Sequence, residues 1–188
     1  MLLACAAAVK LSSPGPVLYT QERVGIDRRR PDEEAGNHRR QIDYGGRLFR
    51  IYKFRTMHTL DERRQVWATP DDPRITTVGR VLRKYRLDEL PQLFNVLAGD
   101  MNIVGPRPEQ PVILTRLREE IREYPQRQRV LPGITGWAQV NHHYDRSIDD
   151  VRRKVQLDIE YIRRRSAMHD LKILVQTVPV VLLRKGGW

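Results

Sequence analysis

Residues 76–99 read Thr76-Thr77-Val78-Gly79-Arg80-Val81-Leu82-Arg83-Lys84-Tyr85-Arg86-Leu87-Asp88-Glu89-Leu90-Pro91-Gln92-Leu93-Phe94-Asn95-Val96-Leu97-Ala98-Gly99. Thr76 and Thr77 are cap residues, and Val78, Val81, Leu82 and Tyr85 follow at helical spacing. Pro91 is tolerated only in a first helical turn. A second helix is therefore predicted from near Asp88 to Leu97, with Gly99 as its stop. Asp88 and Glu89 would then share the positive end of a helix dipole, with Arg83, Lys84 and Arg86 just upstream. A carboxylate among cations stays ionised at neutral pH. It is a candidate nucleophile towards phosphorus or a ligand for a hard cation, and the plain alternative is a helix cap.

Outward from this stretch the pattern is mainly helical with a few short strands, an α+β class. Val17–Tyr19 and Leu48–Phe54 read as strands. Pro111–Tyr124 reads as a helix with Val112, Ile113, Leu117 and Ile121 on one side. Ser147 and Asp150 form a capping-box pattern before a helix that puts Ile148, Val151, Val155, Ile159 and Ile162 on one face. The last apolar stretch, Leu171–Leu183, is interrupted by Pro179 and is too short to span a bilayer. It suits a helix lying along an interface, with Arg184 and Lys185 at its polar end. Residues 27–44, rich in Arg, Asp, Glu and Gly, read as a long surface loop.

The chain has 188 residues, a formal net charge of +11, and 34 Lys+Arg of which only six are Lys. The guanidinium fork suits phosphate and carboxylate, so the Arg bias points to phosphate-bearing partners or to base composition. Nucleic acid is disfavoured, because the arginines are spread and no basic patch is interleaved with aromatics. The single Cys5 excludes an intrachain disulfide and a thiolate metal cluster. No Gly-x-Gly-x-x-Gly or Walker loop occurs. The five histidines lack zinc-site spacing, and His142-His143 read as loop residues. Met1–Val9 is apolar, but a helix of nine residues spans only about 14 Å, and a bilayer crossing needs about 20 residues. It reads as a membrane-dipping end, a short buried helix or part of a longer apolar segment.

Three further motifs carry candidate chemistry. Gly105-Pro106-Arg107-Pro108 holds an arginine on a stiff loop, suited to a phosphate oxygen or simply a rigid connector with a solvated arginine. Lys53-Phe54-Arg55-Thr56-Met57 ends a strand with two cations, equally suited to phosphate or a salt bridge. Pro132-Gly133-Ile134-Thr135-Gly136-Trp137 is a turn-rich loop whose glycines allow close backbone approach or positive φ.

These motifs stand in an order that resembles the bacterial sugar transferase family, the monotopic phosphoglycosyl transferases. The resemblance is carried by Ser13-Pro14-Gly15-Pro16-Val17, Gln21-Glu22-Arg23-Val24-Gly25, Lys53-Phe54-Arg55-Thr56-Met57 and Thr77-Val78-Gly79-Arg80. It continues through Leu82-Arg83-Lys84, Leu87-Asp88-Glu89-Leu90-Pro91-Gln92, Asn95-Val96-Leu97, Gly99-Asp100-Met101, Val104-Gly105-Pro106-Arg107-Pro108 and Pro132-Gly133-Ile134-Thr135-Gly136.

The resemblance implies a monotopic, membrane-associated fold. Residues 1–11 would be the remnant of a longer membrane helix, 12–188 the catalytic domain, and 27–44 a loop insertion. It implies transfer of a sugar 1-phosphate from a UDP-sugar to undecaprenyl or another polyprenyl phosphate. Such a step initiates exopolysaccharide, capsule, O-antigen or glycoconjugate synthesis. Asp88 would be the nucleophile, forming a phosphosugar-aspartate. Asp88 and Glu89 would hold Mg²⁺, and Lys53, Arg55, Arg83 and Arg107 would bind phosphate. The implied location is the cytoplasmic face of the bacterial inner membrane, with the membrane surface as partner, no nucleic acid, and room for a homodimer. The competing reading is a catalytically impaired membrane-surface scaffold of the same fold. Many family members carry Gly-Arg where this chain has His142-His143, so no role carries over to those positions.

Overall fold

Alternation in Leu48–Phe54 builds the first sheet. The computed structural model describes residues 1–28, 44–58, 72–142 and 147–182. Most of the expected 27–44 insertion, and His143, lie outside them. Strand β1 (Leu18–Val24) pairs antiparallel with β2 (Leu48–Phe54), from Leu18 opposite Phe54 to Val24 opposite Leu48. β1 runs well past the expected Tyr19, because pairing along β2 satisfies the backbone of its polar Thr20–Arg23 half. Phe49 and Ile51 pack with Met101, while Phe54 packs on helix α1 (Leu2–Ser12) through Cys5 and Val9. Among the described residues no helix is long and apolar enough to cross a membrane.

Helix α2 (Thr77–Lys84) starts where the sequence places it, with the Thr76 hydroxyl accepting from the Gly79 N–H. The next segment corrects the sequence expectation. Asp88 and Glu89 do not open an α-helix. They lie in a 3-10 turn, Leu87–Glu89, and helix α3 (Gln92–Leu97) begins only after Pro91. Arg86, at φ +53°, turns the chain between α2 and this element. A left-handed non-glycine costs about 1 kcal/mol and breaks helical continuity, which aims both carboxylates inward.

Strand β3 (Asn102–Val104) pairs in parallel with β4 (Gly133–Thr135). Between them, helix α4 (Pro111–Glu120) stops short of the expected Tyr124, and a 3-10 segment, Tyr124–Arg129, follows. Ile121 leaves the helix in an extended conformation, and both it and Tyr124 pack in a core with Val24, Leu114 and Val155. Helix α5 (Trp137–Asn141) leads to α6 (Ile148–Arg164), whose capping box forms in both directions between Ser147 and Asp150. Helix α7 (Ala167–Leu182) continues through Pro179, against expectation. A proline removes one backbone donor, and α7 is also held by Ile173, which is buried with Val104 and Tyr161.

Candidate active site

The glycine-rich motifs act through close backbone approach. A Cβ on Gly133 would lie 2.1 Å from the Gly105 nitrogen, so the 132–136 loop can seat the Gly105–Pro108 loop only with glycine there. The Gly105 N–H donates to the Thr135 carbonyl at 2.8 Å, and the Gly133 N–H donates to the Pro106 carbonyl at 3.0 Å. Arg107 is thus presented from a fixed loop towards the 3-10 turn.

There it meets Glu89. The Arg107 Nη2 donates to Glu89 Oε1 at 2.5 Å, and Nη1 to Oε2 at 3.3 Å. From β2, Lys53 Nζ donates to the same Oε1 at 2.8 Å. The Glu89 side chain is 8% exposed, against 19% for Lys53 and 32% for Arg107. Burial pushes the Glu89 carboxyl up, but the two cations outweigh it and hold the group well below the usual carboxylate range. Burial lowers Lys53, with Glu89 opposing that shift.

Asp88 is also buried, yet no hydrogen bond or ion pair engages its carboxylate among the described residues. Burial and then the neighbouring Glu89 charge push its pKa up, while Lys53, Arg83 and Arg107 pull it down. The dyad therefore splits into a clamped anion, Glu89, and an open, more basic one, Asp88.

Arg83 reaches the site from α2. Its Nε donates to Thr56 Oγ1 at 3.0 Å, and its buried Nη1 has no hydrogen-bond partner among the described residues. A buried guanidinium nitrogen left open beside an open carboxylate is ready for an anionic ligand. The joint that aims it is tight, since a Cβ on Gly79 would lie 2.0 Å from the Thr56 carbonyl oxygen.

Lys53, Arg83 and Arg107 are thus brought to the dyad, but Arg55 is not. Its guanidinium is buried and donates to the Pro16, Pro14 and Ser13 carbonyls at 2.6, 2.8 and 2.8 Å, to Ser13 Oγ at 2.5 Å, and to the Val9 carbonyl at 3.4 Å. These bonds tie down the C-terminal end of α1 and the chain after it, so the geometry gives no support to Arg55 as a phosphate-binding cation. Lys53 and Arg55, two apart on an extended segment, would share a face of a regular strand. The strand ends at Phe54, and the two cations go to different anchors.

Arg86, one of the cations the sequence places just upstream, joins the field of the dyad, feeling Glu89, Arg107 and Asp88. One further residue of the site was not legible as such. Asn95 is fully buried; its Nδ2 donates to the Arg50 carbonyl at 2.7 Å and its Oδ1 accepts from the Tyr52 N–H at 3.1 Å. It locks α3 to β2 one residue before Lys53. Its place in a recurring motif was the signal, but no side-chain pattern revealed the role.

Asp88 and Glu89 are the residues here that could hold Mg²⁺. Among the described residues no three acidic, His or Cys side chains form a cluster. Two adjacent carboxylates, one open, suit a cation that takes its remaining ligands from water and substrate phosphate.

Comparison with known proteins identifies the family. The sequence model of the bacterial sugar transferase family matches residues 1–184. The chain is 44% identical, over its whole length, to 40% of a UDP-N-acetylgalactosamine-undecaprenyl-phosphate N-acetylgalactosaminephosphotransferase of Aeromonas hydrophila. It is 42% and 41% identical to UDP-glucose:undecaprenyl-phosphate glucose-1-phosphate transferases of Xanthomonas campestris pv. campestris and Escherichia coli K12, again over its whole length. It spans 36% and 37% of those two proteins.

Proposed function

Because the chain belongs to the bacterial sugar transferase family, we propose that it is a phosphoglycosyl transferase moving a sugar 1-phosphate from a UDP-sugar to undecaprenyl phosphate. The observation that carries the reading is the split dyad: Asp88 is buried and open beside a Glu89 neutralised by Lys53 and Arg107.

In the first step an Asp88 carboxylate oxygen attacks the β-phosphorus of the UDP-sugar. The bond from that phosphorus to the bridging oxygen breaks, and its electron pair leaves with UMP. The sugar phosphate is then an acyl phosphate on Asp88. In the second step a phosphate oxygen of the polyprenyl phosphate attacks the same phosphorus, and the aspartate leaves with its electron pair. The burial that raises Asp88 makes it the stronger nucleophile of the two acids. Attack by one anion on another requires preorganised positive charge. Arg83 offers its open Nη1, and Arg107 and Lys53 keep Glu89 from adding repulsion. Asp88 and Glu89 would hold Mg²⁺ together with the diphosphate, and the bound ion would supply further charge neutralisation.

Coupling of a water-soluble donor to a lipid acceptor supports a location at the cytoplasmic face of the inner membrane and a role as the first step of a surface glycan. Exposed Met168, Leu171, Val175 and Val178 fall along one stripe of α7, and α1 exposes Leu3 and Leu11. Such stripes suit contact with a membrane surface.

The test is UMP release from UDP-glucose and UDP-N-acetylgalactosamine with undecaprenyl phosphate, Mg²⁺ and detergent. The native chain should release UMP, and without lipid acceptor it should retain radiolabelled sugar phosphate. Asp88→Asn should do neither. Near-normal turnover in Asp88→Asn would falsify the nucleophile assignment.

A further inference from the structure

The loop that carries Arg107 is held by four donors in succession. The Pro106 carbonyl accepts from the Gly133 N–H at 3.0 Å and the Glu109 carbonyl from the Val24 N–H at 3.0 Å. Between them the Arg107 carbonyl accepts from Arg127 Nη2 at 3.1 Å, and the Pro108 carbonyl from Arg23 Nη1 at 3.1 Å. The two outer bonds are main-chain to main-chain. The two inner ones, to the carbonyls on either side of Pro108, come from side chains.

Arg127 is the more deeply built of the two. Its side chain is 4% exposed, and its ion-pair partner Asp158, on α6, is 2% exposed. Nε donates to Asp158 Oδ2 at 2.6 Å, and Nη1 to the Tyr124 hydroxyl at 2.7 Å. Each of its three nitrogens therefore ends on a different anchor: α6, the 3-10 segment and the site loop. A buried ion pair is weak evidence for stability, because desolvation offsets most of its attraction. Its geometric consequence is clearer. The following proline already restricts Arg107 to extended backbone, and the Arg127 bond fixes the direction of the Arg107 carbonyl. Together they set where the Arg107 side chain leaves the backbone, and so where its fork meets Glu89.

We infer that Arg127, anchored by Asp158, is a positioning residue for Arg107, transmitting the placement of α6 to the Glu89 clamp. The inference rests on the proposed function for its kinetic consequence and on geometry alone for its structural one. Lysine at 127 can pair with Asp158 but cannot serve three acceptors from one planar fork.

The test is a double-mutant cycle of Arg127→Lys with Arg107→Lys, which separates action through Arg107 from a general loss of packing. In UMP release from UDP-glucose or UDP-N-acetylgalactosamine, Arg127→Lys should lower kcat/KM about tenfold in the native background and less than twofold in Arg107→Lys. Equal fold-losses in both backgrounds, or no loss in the native one, overturn the inference. Urea unfolding of the same four proteins supplies the activity-independent arm: Arg127→Lys should shift the midpoint less once Arg107 is lysine, and equal shifts count against positioning. Silence of the native chain in UMP release, with non-additive unfolding, rejects the proposed function and leaves the positioning intact. If Arg127→Lys does not fold, Asp158→Asn keeps Arg127 and weakens only its anchor. It should show the same non-additivity, and additivity there rejects the inference.

Discussion

Neutralising either carboxylate of the dyad removes one negative charge from neighbouring positions, yet the two changes should move stability in opposite directions. In Glu89→Gln one carboxylate oxygen becomes an NH₂ group facing donors. Lys53 Nζ and Arg107 Nη2 both end on Oε1, and Arg107 Nη1 on Oε2, so no amide orientation serves all three. Removing one partner of a buried pair costs about 3–5 kcal/mol. The partial exposure of Lys53 and Arg107 argues for the low end, about 3 kcal/mol. For a chain of 188 residues that is a fall in Tm of roughly 6–12 °C. Asp88→Asn removes a charge that burial disfavours and no paired bond offsets, so Tm should rise by about 1–4 °C while turnover is lost.

The pH dependence has a definite sign. Glu89 is held below its unfolded value, so its stabilisation is present above about pH 4.3 and fades as pH falls below that. Asp88 is raised, so its charge destabilises the fold above its folded pKa, and that penalty fades as pH falls through it. Circular-dichroism melts of the three proteins at pH 7 and pH 4 provide the check. At pH 7 the variants should bracket the native Tm; at pH 4 Asp88→Asn should approach it, while Glu89→Gln keeps most of its deficit, because Glu89 stays ionised until the pH falls well below the usual carboxylate range. Shifts of the same sign at pH 7 would refute the split-dyad reasoning.

The other predictions concern the cations and their supports. Arg107→Lys keeps the charge but loses the fork on Glu89, and should lower kcat/KM by about tenfold in UMP release, a change of about 1.4 kcal/mol; unchanged kinetics would make the fork dispensable. Arg55→Met strands buried carbonyls at the end of α1 and should lower Tm by at least about 5 °C with little change in KM for UDP-sugar. A raised KM at unchanged Tm would return Arg55 to the phosphate site. Gly79→Ala pushes a methyl against the Thr56 backbone and should cost about 1–3 kcal/mol, read as a lower urea midpoint, and should weaken turnover by displacing Arg83. A native midpoint would mean that α2 moves away without resistance.

The elements legible in the sequence are those whose stabilising partners lie within a few residues. Thr76 caps Gly79 three positions on, Ser147 and Asp150 cap each other, and α6 follows from its apolar face. The parallel pairing of β3 with β4 was not legible, because three-residue strands are too short to show alternation. Nor was the 3-10 turn at Asp88. Cap chemistry there favoured a helix, while the tertiary structure holds Arg86 left-handed and restarts the helix after Pro91.

The sequence by itself determined the family, through the order of its motifs, and named Asp88, Glu89, Lys53, Arg55, Arg83 and Arg107 as residues with suitable chemistry. It could not determine which cation goes to which anion. Only the tertiary structure decided that Lys53 and Arg107 neutralise Glu89 from 36 and 18 residues away, and that Asp88 is left open. The same structure commits Arg55 to α1 and puts Arg127 behind Arg107. The physical reason is range. Caps and periodicity act over one helical turn, whereas a guanidinium takes whichever buried acceptors the packed chain places within about 3 Å of it.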